Sequence, residues 1–103
     1  MPVAFVQEIK TVDDDRSTTN YDSIAQRLNV DSDKPAGLIV HTAGFDEDAG
    51  VFRILDVWET REHAERFLND RLMPIVQEML ASTPDARPPD RQTFYDLHDV
   101  IRG

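Results

Sequence analysis

The stretch GLIVHTAGFDEDAGVFRILDVWET, residues 37–60, decides the fold of this chain. Two apolar runs rich in Val, Ile, Leu and Phe flank the acidic, glycine-containing segment at 46–50, a composition typical of a β-hairpin. Each predicted strand also carries polar or unusually large groups that an ordinary core does not select. These groups are His41 in the first strand and Arg53, Asp56 and Trp58 in the second.

The segments around the hairpin complete the order β-α-β-β-α-β. Residues 3–11 are apolar and β-branched enough for a strand, and residues 92–101 supply another. A first helix is predicted over 18–29, where apolar residues recur at i, i+3, i+4 and i+7 from Tyr21, with Thr18 or Thr19 as its N-cap. This order predicts one α+β domain over residues 1–103, with a ferredoxin-like, four-stranded antiparallel sheet and both helices on one face.

The second helix is predicted from a Thr60 cap onward for about five turns. Pro74 has no N–H for residue 70 and clashes with its carbonyl, so we expect a kink or break near residues 70–73. The acidic run at 13–15 and the proline-rich loop at 82–91 predict exposed loops.

The faces of the hairpin follow from its register. With Gly44 placed opposite Val51, one face carries Leu38, Val40, Thr42, Val51, Arg53, Leu55 and Val57, and the other carries Ile39, His41, Ala43, Phe52, Ile54, Asp56 and Trp58. Both faces are mostly apolar, whereas a sheet with one wet face alternates. We therefore predict a homodimer in which a second copy covers the face without helices. Arg53 on that face should form an intersubunit or surface ion pair.

Composition excludes several classes of function. The formal net charge of -9 disfavours nucleic acid and anionic membranes as partners and favours a soluble particle. With no cysteine, disulfides and thiolate chemistry are excluded, and no His-x-x-x-His spacing suggests a metal site. No apolar run is long enough for a membrane span, and the first residues do not form a secretory signal. A cytoplasmic location is therefore expected.

The segment DVWETREHAERF resembles the antibiotic biosynthesis monooxygenase-like group of the dimeric α+β barrel superfamily. The residues that carry the resemblance are Asp56 and Trp58 at a strand end, Thr60 as a hydroxyl cap, and Phe67 in the following helix. GLIVHTAG, the proline loop and YDLHDVIRG extend the likeness over essentially the whole chain. The resemblance implies two sheets packed face to face as a dimeric barrel, with a small-molecule pocket between sheet and helices in each subunit.

Activities in that superfamily include cofactor-free monooxygenases and cyclases that act on aromatic polyketides, quinol oxygenases, and haem-degrading enzymes. The haem branch pairs an Asn on the first strand with a His about ten residues after the Trp. This chain has Gln7 and Glu8 on the first strand and Leu68 at the second position, with His63 only five residues after Trp58. No haem or other cofactor is therefore expected.

Six residues are the predicted pocket set: His41, Phe52, Ile54, Asp56, Trp58 and Phe67. Within it, His41 and Asp56 are the candidate catalytic pair, because a carboxylate on the same face would orient the imidazole and favour its charged form. His41 alternatively is a half-buried histidine with an ordinary hydrogen bond. Trp58 is either an aromatic wall for a flat ligand or a core residue that fills the gap between sheet and helix.

Three functions remain open on this sequence. The first is a cofactor-independent monooxygenase, cyclase or isomerase acting on a small, aromatic or polyketide-like molecule. The second is a non-catalytic ligand binder with the same pocket, and the third is a structural or regulatory dimer whose pocket is filled core. The first requires a titratable pair facing an open cavity, for which His41 and Asp56 are the candidates.

Overall fold

The fold was determined from a computed structural model, which describes residues 2–11, 17–29, 32–82 and 89–101. The acidic run at 13–15 and the centre of the proline-rich loop, residues 83–88, lie outside these ranges. In chain order the elements are β1 (Val3–Lys10), α1 (Thr19–Leu28), β2 (Leu38–Asp46), β3 (Val51–Trp58), α2 (Arg61–Phe67), a π-helical segment (Leu68–Leu72), α3 (Met73–Ser82) and β4 (Arg91–Asp96). The predicted order of strands and helices is confirmed.

The strands form a four-stranded antiparallel sheet in the order β2-β3-β1-β4, which confirms the predicted ferredoxin-like class. β1 lies between β3 and β4, and its first three residues, Val3, Ala4 and Phe5, are all buried. β4 ends at Asp96, earlier than predicted, so His98 lies beyond the last strand.

The register of the hairpin differs from the prediction by two residues. Gly44 pairs with Arg53, and Val51 pairs with Asp46. Because side chains alternate with period two, a shift of two residues keeps the side chains from Val40 to Asp46 and along β3 on their predicted faces. His41 consequently lies opposite Asp56 instead of Ile54.

A β-bulge between Leu38 and Val40 corrects one predicted face assignment. The extra residue, Ile39, restarts the alternation, so that Leu38 pairs with Trp58 while Val40 pairs with Val57. Leu38 therefore packs on the helix side with the core around Trp58, where the sequence had placed it on the opposite face. Gly37, just before this bulge, has a φ of 84°, and a Cβ there would overlap the imidazole of His63.

The helices begin and break at the residues that the sequence singled out. Thr60 caps α2, because its hydroxyl accepts a hydrogen bond from the backbone N–H of His63 at 3.1 Å. Thr18 occupies the N-cap position of α1, but its hydroxyl donates to the Asp22 carboxylate at 2.8 Å instead of capping the backbone. The interruption predicted near Pro74 is confirmed as the π-helical segment, in which Met73 N–H reaches back to the carbonyl of Leu68.

The core lies between the sheet and the helices. Val3, Phe5, Trp58 and Ala64 form its buried centre. The core continues toward β4 through Phe94, whose ring stacks on that of Phe5 with 4.4 Å between the ring centroids.

The other face of the sheet carries no helix, and it holds the Arg53 ion pairs. Arg53 Nη2 lies 2.7 Å from Glu8 Oε2 and Arg53 Nη1 lies 2.5 Å from Asp46 Oδ2. Arg53 is thus paired within the chain across neighbouring strands. Val40 and Tyr95 on this face remain 44% and 47% exposed, respectively.

Candidate functional site

A cavity of about 160 Å³ lies between the helix side of the sheet and the three helices. Its wall is predominantly apolar and draws side chains from both layers, among them Ile24, Leu28, Leu38, Ile54, Val76 and Met79. A small group of polar side chains interrupts this lining: Gln7, Asn20, Tyr21, His41 and Asp56. Concave, mostly apolar sites with a few convergent polar groups are typical of small-molecule pockets.

Three of the polar residues form a continuous hydrogen-bonded chain, which we call the Tyr21–His41–Asp56 relay. Tyr21 Oη lies 2.5 Å from His41 Nε2, and His41 Nδ1 lies 2.5 Å from Asp56 Oδ1. The planes of the Tyr21 and His41 rings are nearly parallel, with an interplanar angle of 3°. All three residues contribute to the cavity wall.

The relay is assembled by sheet register and helix periodicity together. His41 and Asp56 are directly paired on β2 and β3, so their side chains project from the same face. Tyr21 begins the inner stripe of α1 that continues one and two turns later with Ile24 and Leu28, all of which reach the cavity. Docking of α1 on the sheet therefore places the tyrosine hydroxyl within hydrogen-bonding distance of His41 Nε2.

The hydrogen-bond roles follow from the chemistry of the three groups. With the imidazole neutral and the Asp56 carboxylate as acceptor, His41 Nδ1 donates to Asp56 and His41 Nε2 accepts the Tyr21 hydroxyl proton. Asp56 is 6% exposed, and so its carboxylate depends on His41 for a partner in a mostly apolar wall.

Burial, followed by the charges of Asp56 and Asp22, raises the pKa of Tyr21 above its ordinary value. The hydroxyl is therefore protonated and able to donate at neutral pH. The arrangement has the form of an acid–base chain, in which a buried carboxylate orients an imidazole that in turn polarises a hydroxyl.

Of the six residues predicted to form the pocket, the structure places four in the cavity wall: His41, Ile54, Asp56 and Phe67. Trp58 lies behind that wall. It is 1% exposed, and its ring centroid lies 5.2 Å from that of Phe67, so Phe67 stands at the wall while Trp58 belongs to the core.

Phe52 also lies outside the lining. Its ring makes edge contacts with Tyr21 and Phe45 at centroid distances of 5.3 and 4.9 Å. It therefore supports the ring of Tyr21 from the side of the sheet. Phe52 therefore lies on the helix side of β3 but packs against aromatic rings instead of lining the cavity.

Sequence reasoning does not identify Tyr21 as a pocket residue; its helical spacing places it only on the apolar face of the first helix. The signal that could have found it is its place at the start of the inner stripe of α1, where a hydroxyl can reach the strand that carries His41. Gln7 was likewise not proposed as a lining residue. It is 7% exposed at the centre of β1, and its side-chain oxygen accepts from Gln92 Nε2 at 3.2 Å.

The described part of the chain contains neither a metal-binding cluster nor a membrane-spanning helix. Residues 2–11, 17–29, 32–82 and 89–101 contain no cluster of three His, Asp or Glu side chains that could hold a metal ion. Over the same ranges, no helix combines the length and apolarity needed to cross a membrane. His63 is engaged with the Thr60 hydroxyl through Nδ1 at 2.7 Å.

The chain matches no protein-family model and no curated protein. Solved structures do share its fold. SnoaB, a cofactor-independent oxygenase from Streptomyces nogalater, superimposes with a TM-score of 0.64 at 14% identity, covering 97% of this chain and 96% of that one. Rv0793 from Mycobacterium tuberculosis gives a TM-score of 0.65 at 15% identity, covering 97% and 98%.

A candidate antibiotic biosynthesis monooxygenase from Chloroflexus aurantiacus J-10-fl matches over 100% of both chains, with a TM-score of 0.58 at 16% identity. The fold that the sequence resemblance implies for one chain is thereby confirmed: the chain has the α+β architecture of antibiotic biosynthesis monooxygenase-like proteins. At these identities the likeness concerns the fold, and function has to be argued from the site.

Proposed function

We propose that this protein binds a compact, ring-bearing small molecule in the cavity between its sheet and helices. The observation that carries the proposal is an apolar cavity whose polar groups converge in the Tyr21–His41–Asp56 relay. An apolar wall provides affinity for a hydrocarbon ring, and a few fixed polar groups orient it.

The size of the cavity limits the ligand. A dry, apolar cavity of about 150 Å³ is enough for benzene, and the cavity here has about 160 Å³. One ring with small substituents is thus the expected occupant. A larger polycyclic molecule would require the helices to move away from the sheet.

The preferred activity is that of a cofactor-independent monooxygenase or cyclase acting on an aromatic or polyketide-like substrate. The relay supports this activity, because such chemistry begins with proton removal from the substrate by a positioned base. SnoaB, a protein of the same fold, is a cofactor-independent oxygenase. That likeness is one of fold, and the relay is the feature of this chain that supports the reaction.

The alternative function is a non-catalytic ligand binder. It is favoured by the closed hydrogen bonding of His41, whose two ring nitrogens are already occupied by Tyr21 and Asp56. Oxygen uptake during incubation with a bound aromatic ligand separates the two functions. A binder stabilises its ligand without consuming oxygen or converting it.

The working unit that we propose is a homodimer through the sheet face that carries no helix. Val40 and Tyr95 are large apolar side chains exposed on that face, and the half-buried Leu55 and Val57 lie beside them. A second copy offers a surface of the same character and would close two sheets into a barrel.

The pocket is tested by a thermal-stability screen with single-ring aromatic compounds. A compound present at 100 times its dissociation constant should add about 2.7 kcal/mol to the free energy of unfolding. Val76→Phe should remove this gain, because the new ring occupies the cavity. The matched control is Gln77→Phe, since Gln77 is exposed on the same helix. Equal gains in the two variants, or no gain with any compound, would contradict the pocket.

A further inference from the structure

The tyrosine hydroxyl is the end of the relay that remains available to a ligand. His41 Nδ1 is occupied by Asp56 and its Nε2 by Tyr21. Among the described residues, Tyr21 Oη makes one hydrogen bond, the one to His41. A phenolic oxygen that donates its proton still has lone pairs with which to accept one. A hydroxyl on a cavity-bound ligand would therefore meet Tyr21 first.

Resting on the pocket proposed above, we propose that Tyr21 contacts the ligand and exchanges a proton with it, and that the ligand is a single-ring phenol or cyclic enol. His41 and Asp56 are positioning residues that act through Tyr21. Neither needs to touch the ligand. The apolar remainder of the wall holds the ring, and the relay receives its hydroxyl.

The proton transfer balances within these groups. The ligand O–H bond breaks as its proton passes to Tyr21 Oη, and the original tyrosine proton passes to His41 Nε2 in the same step. The products are a ligand phenolate or enolate, a neutral tyrosine, and an imidazolium paired with the Asp56 carboxylate. The total charge is unchanged, and no oxidant or cofactor takes part.

This step also restricts the acidity of the ligand. An imidazole ordinarily has a pKa of about 6.5. Proton transfer from the ligand to the imidazole therefore has an equilibrium constant near one when the ligand hydroxyl has a similar pKa. Electron-poor phenols and the enols of cyclic 1,3-dicarbonyl compounds meet that condition. A simple alcohol on a saturated ring does not, and it would be bound without being ionised.

The experiment compares 4-nitrophenol with 4-nitrotoluene, which have nearly the same shape and differ in the hydroxyl. Calorimetry should show that the wild-type protein binds 4-nitrophenol about tenfold more tightly, as expected for a charge-assisted hydrogen bond. In Tyr21→Phe this preference should disappear while the affinity for 4-nitrotoluene is retained. Retained 4-nitrotoluene binding also shows that the variant is folded.

A spectroscopic readout separates proton transfer from simple packing. Below the pKa of 4-nitrophenol in water, the wild-type complex should display the absorption band of the phenolate. His41→Gln, which keeps a hydrogen-bonding side chain but cannot take up the proton, should lose this band, as should Tyr21→Phe.

The outcomes separate the two proposals. If both probes bind with equal affinity, or if the phenolate band persists in Tyr21→Phe, the role of Tyr21 is overturned and the pocket stands. If neither probe binds, both proposals are overturned.

Discussion

His41 Nδ1 lies 2.5 Å from Asp56 Oδ1, and the two residues are direct partners in the pairing of β2 with β3. Their burial is unequal: the side chain of Asp56 is 8% exposed, whereas that of His41 is 36% exposed. The carboxylate is thus withdrawn from water and relies on the imidazole, while the imidazole reaches toward Tyr21 and the cavity. This asymmetry makes Asp56 the fixed end of the relay.

Removing the partner of the buried carboxylate should therefore be costly. We predict that His41→Leu lowers the free energy of unfolding by about 1–3 kcal/mol, since Asp56 loses a hydrogen bond that water cannot fully replace. Adding Asp56→Asn should cost less in that background than in the wild type, because the two side chains are directly coupled. Urea unfolding of the two single variants and the double variant measures the coupling. Strictly additive losses would contradict it.

The sequence predicts that these two residues share one face of the sheet, but it does not predict that they are direct partners. Alternation along β3 fixes the face that Asp56 shares with Trp58 in any register, and an even shift keeps His41 on that same face. The observed shift of two residues is such a case. A shift of one residue would have separated the pair, and no turn residue in the hairpin excludes that shift by itself.

Two features lay beyond sequence reasoning for physical reasons. The bulge that turns Leu38 inward depends on the packing of the strand end against Trp58, with no Gly or Pro at Ile39 to mark it. The role of Tyr21 depends on the docking angle of α1 over the sheet. Helical spacing identifies which face of α1 is buried, but it does not specify which strand residue that face will contact.

We predict that Trp58 stabilises the fold and does not contact the ligand. We expect Trp58→Ala to cost about 3–5 kcal/mol, because the change leaves a large cavity among Val3, Phe5 and Ala64. Trp58→Phe should cost much less. It keeps an aromatic ring and also removes the indole N–H, which is buried and has no hydrogen-bond partner among the described residues.

Chemical unfolding followed by circular dichroism measures both Trp58 variants. The pocket provides the control, because Trp58→Phe should bind 4-nitrotoluene with the affinity of the wild type. A marked loss of binding in a stably folded Trp58→Phe protein would instead place the indole at the ligand.

The dimer is tested at Leu55, on the sheet face opposite the helices. Leu55→Asp should yield a folded monomer, because a carboxylate there is exposed to water in one subunit but would be buried without a partner between two. Gln77→Asp carries the same charge change on an exposed part of α3 and should remain dimeric. Sedimentation velocity at micromolar concentration distinguishes these states. A wild-type protein that sediments as a monomer would refute the dimer.

We predict that ionisation of Tyr21 lowers the free energy of unfolding at alkaline pH. The environment raises the pKa of Tyr21 above its ordinary value of 10.0, through burial first and then through Asp56 and Asp22. Between the ordinary pKa and the raised one, the folded protein retains a proton that the unfolded chain has released. This contribution to stability is therefore complete below about pH 10 and is lost as pH rises through the folded pKa.

Tyr21→Phe keeps the ring and its contact with Phe52 but removes the ionisable group, so it should lack this alkaline loss. Urea unfolding at about pH 9 and about pH 11 should give a larger drop for the wild type than for the variant. Contributions from other alkaline groups are common to both proteins and cancel in the comparison. Equal drops would show that the tyrosine hydroxyl ionises as freely in the fold as in the unfolded chain, and the hydroxyl could then not be the buried donor of the relay.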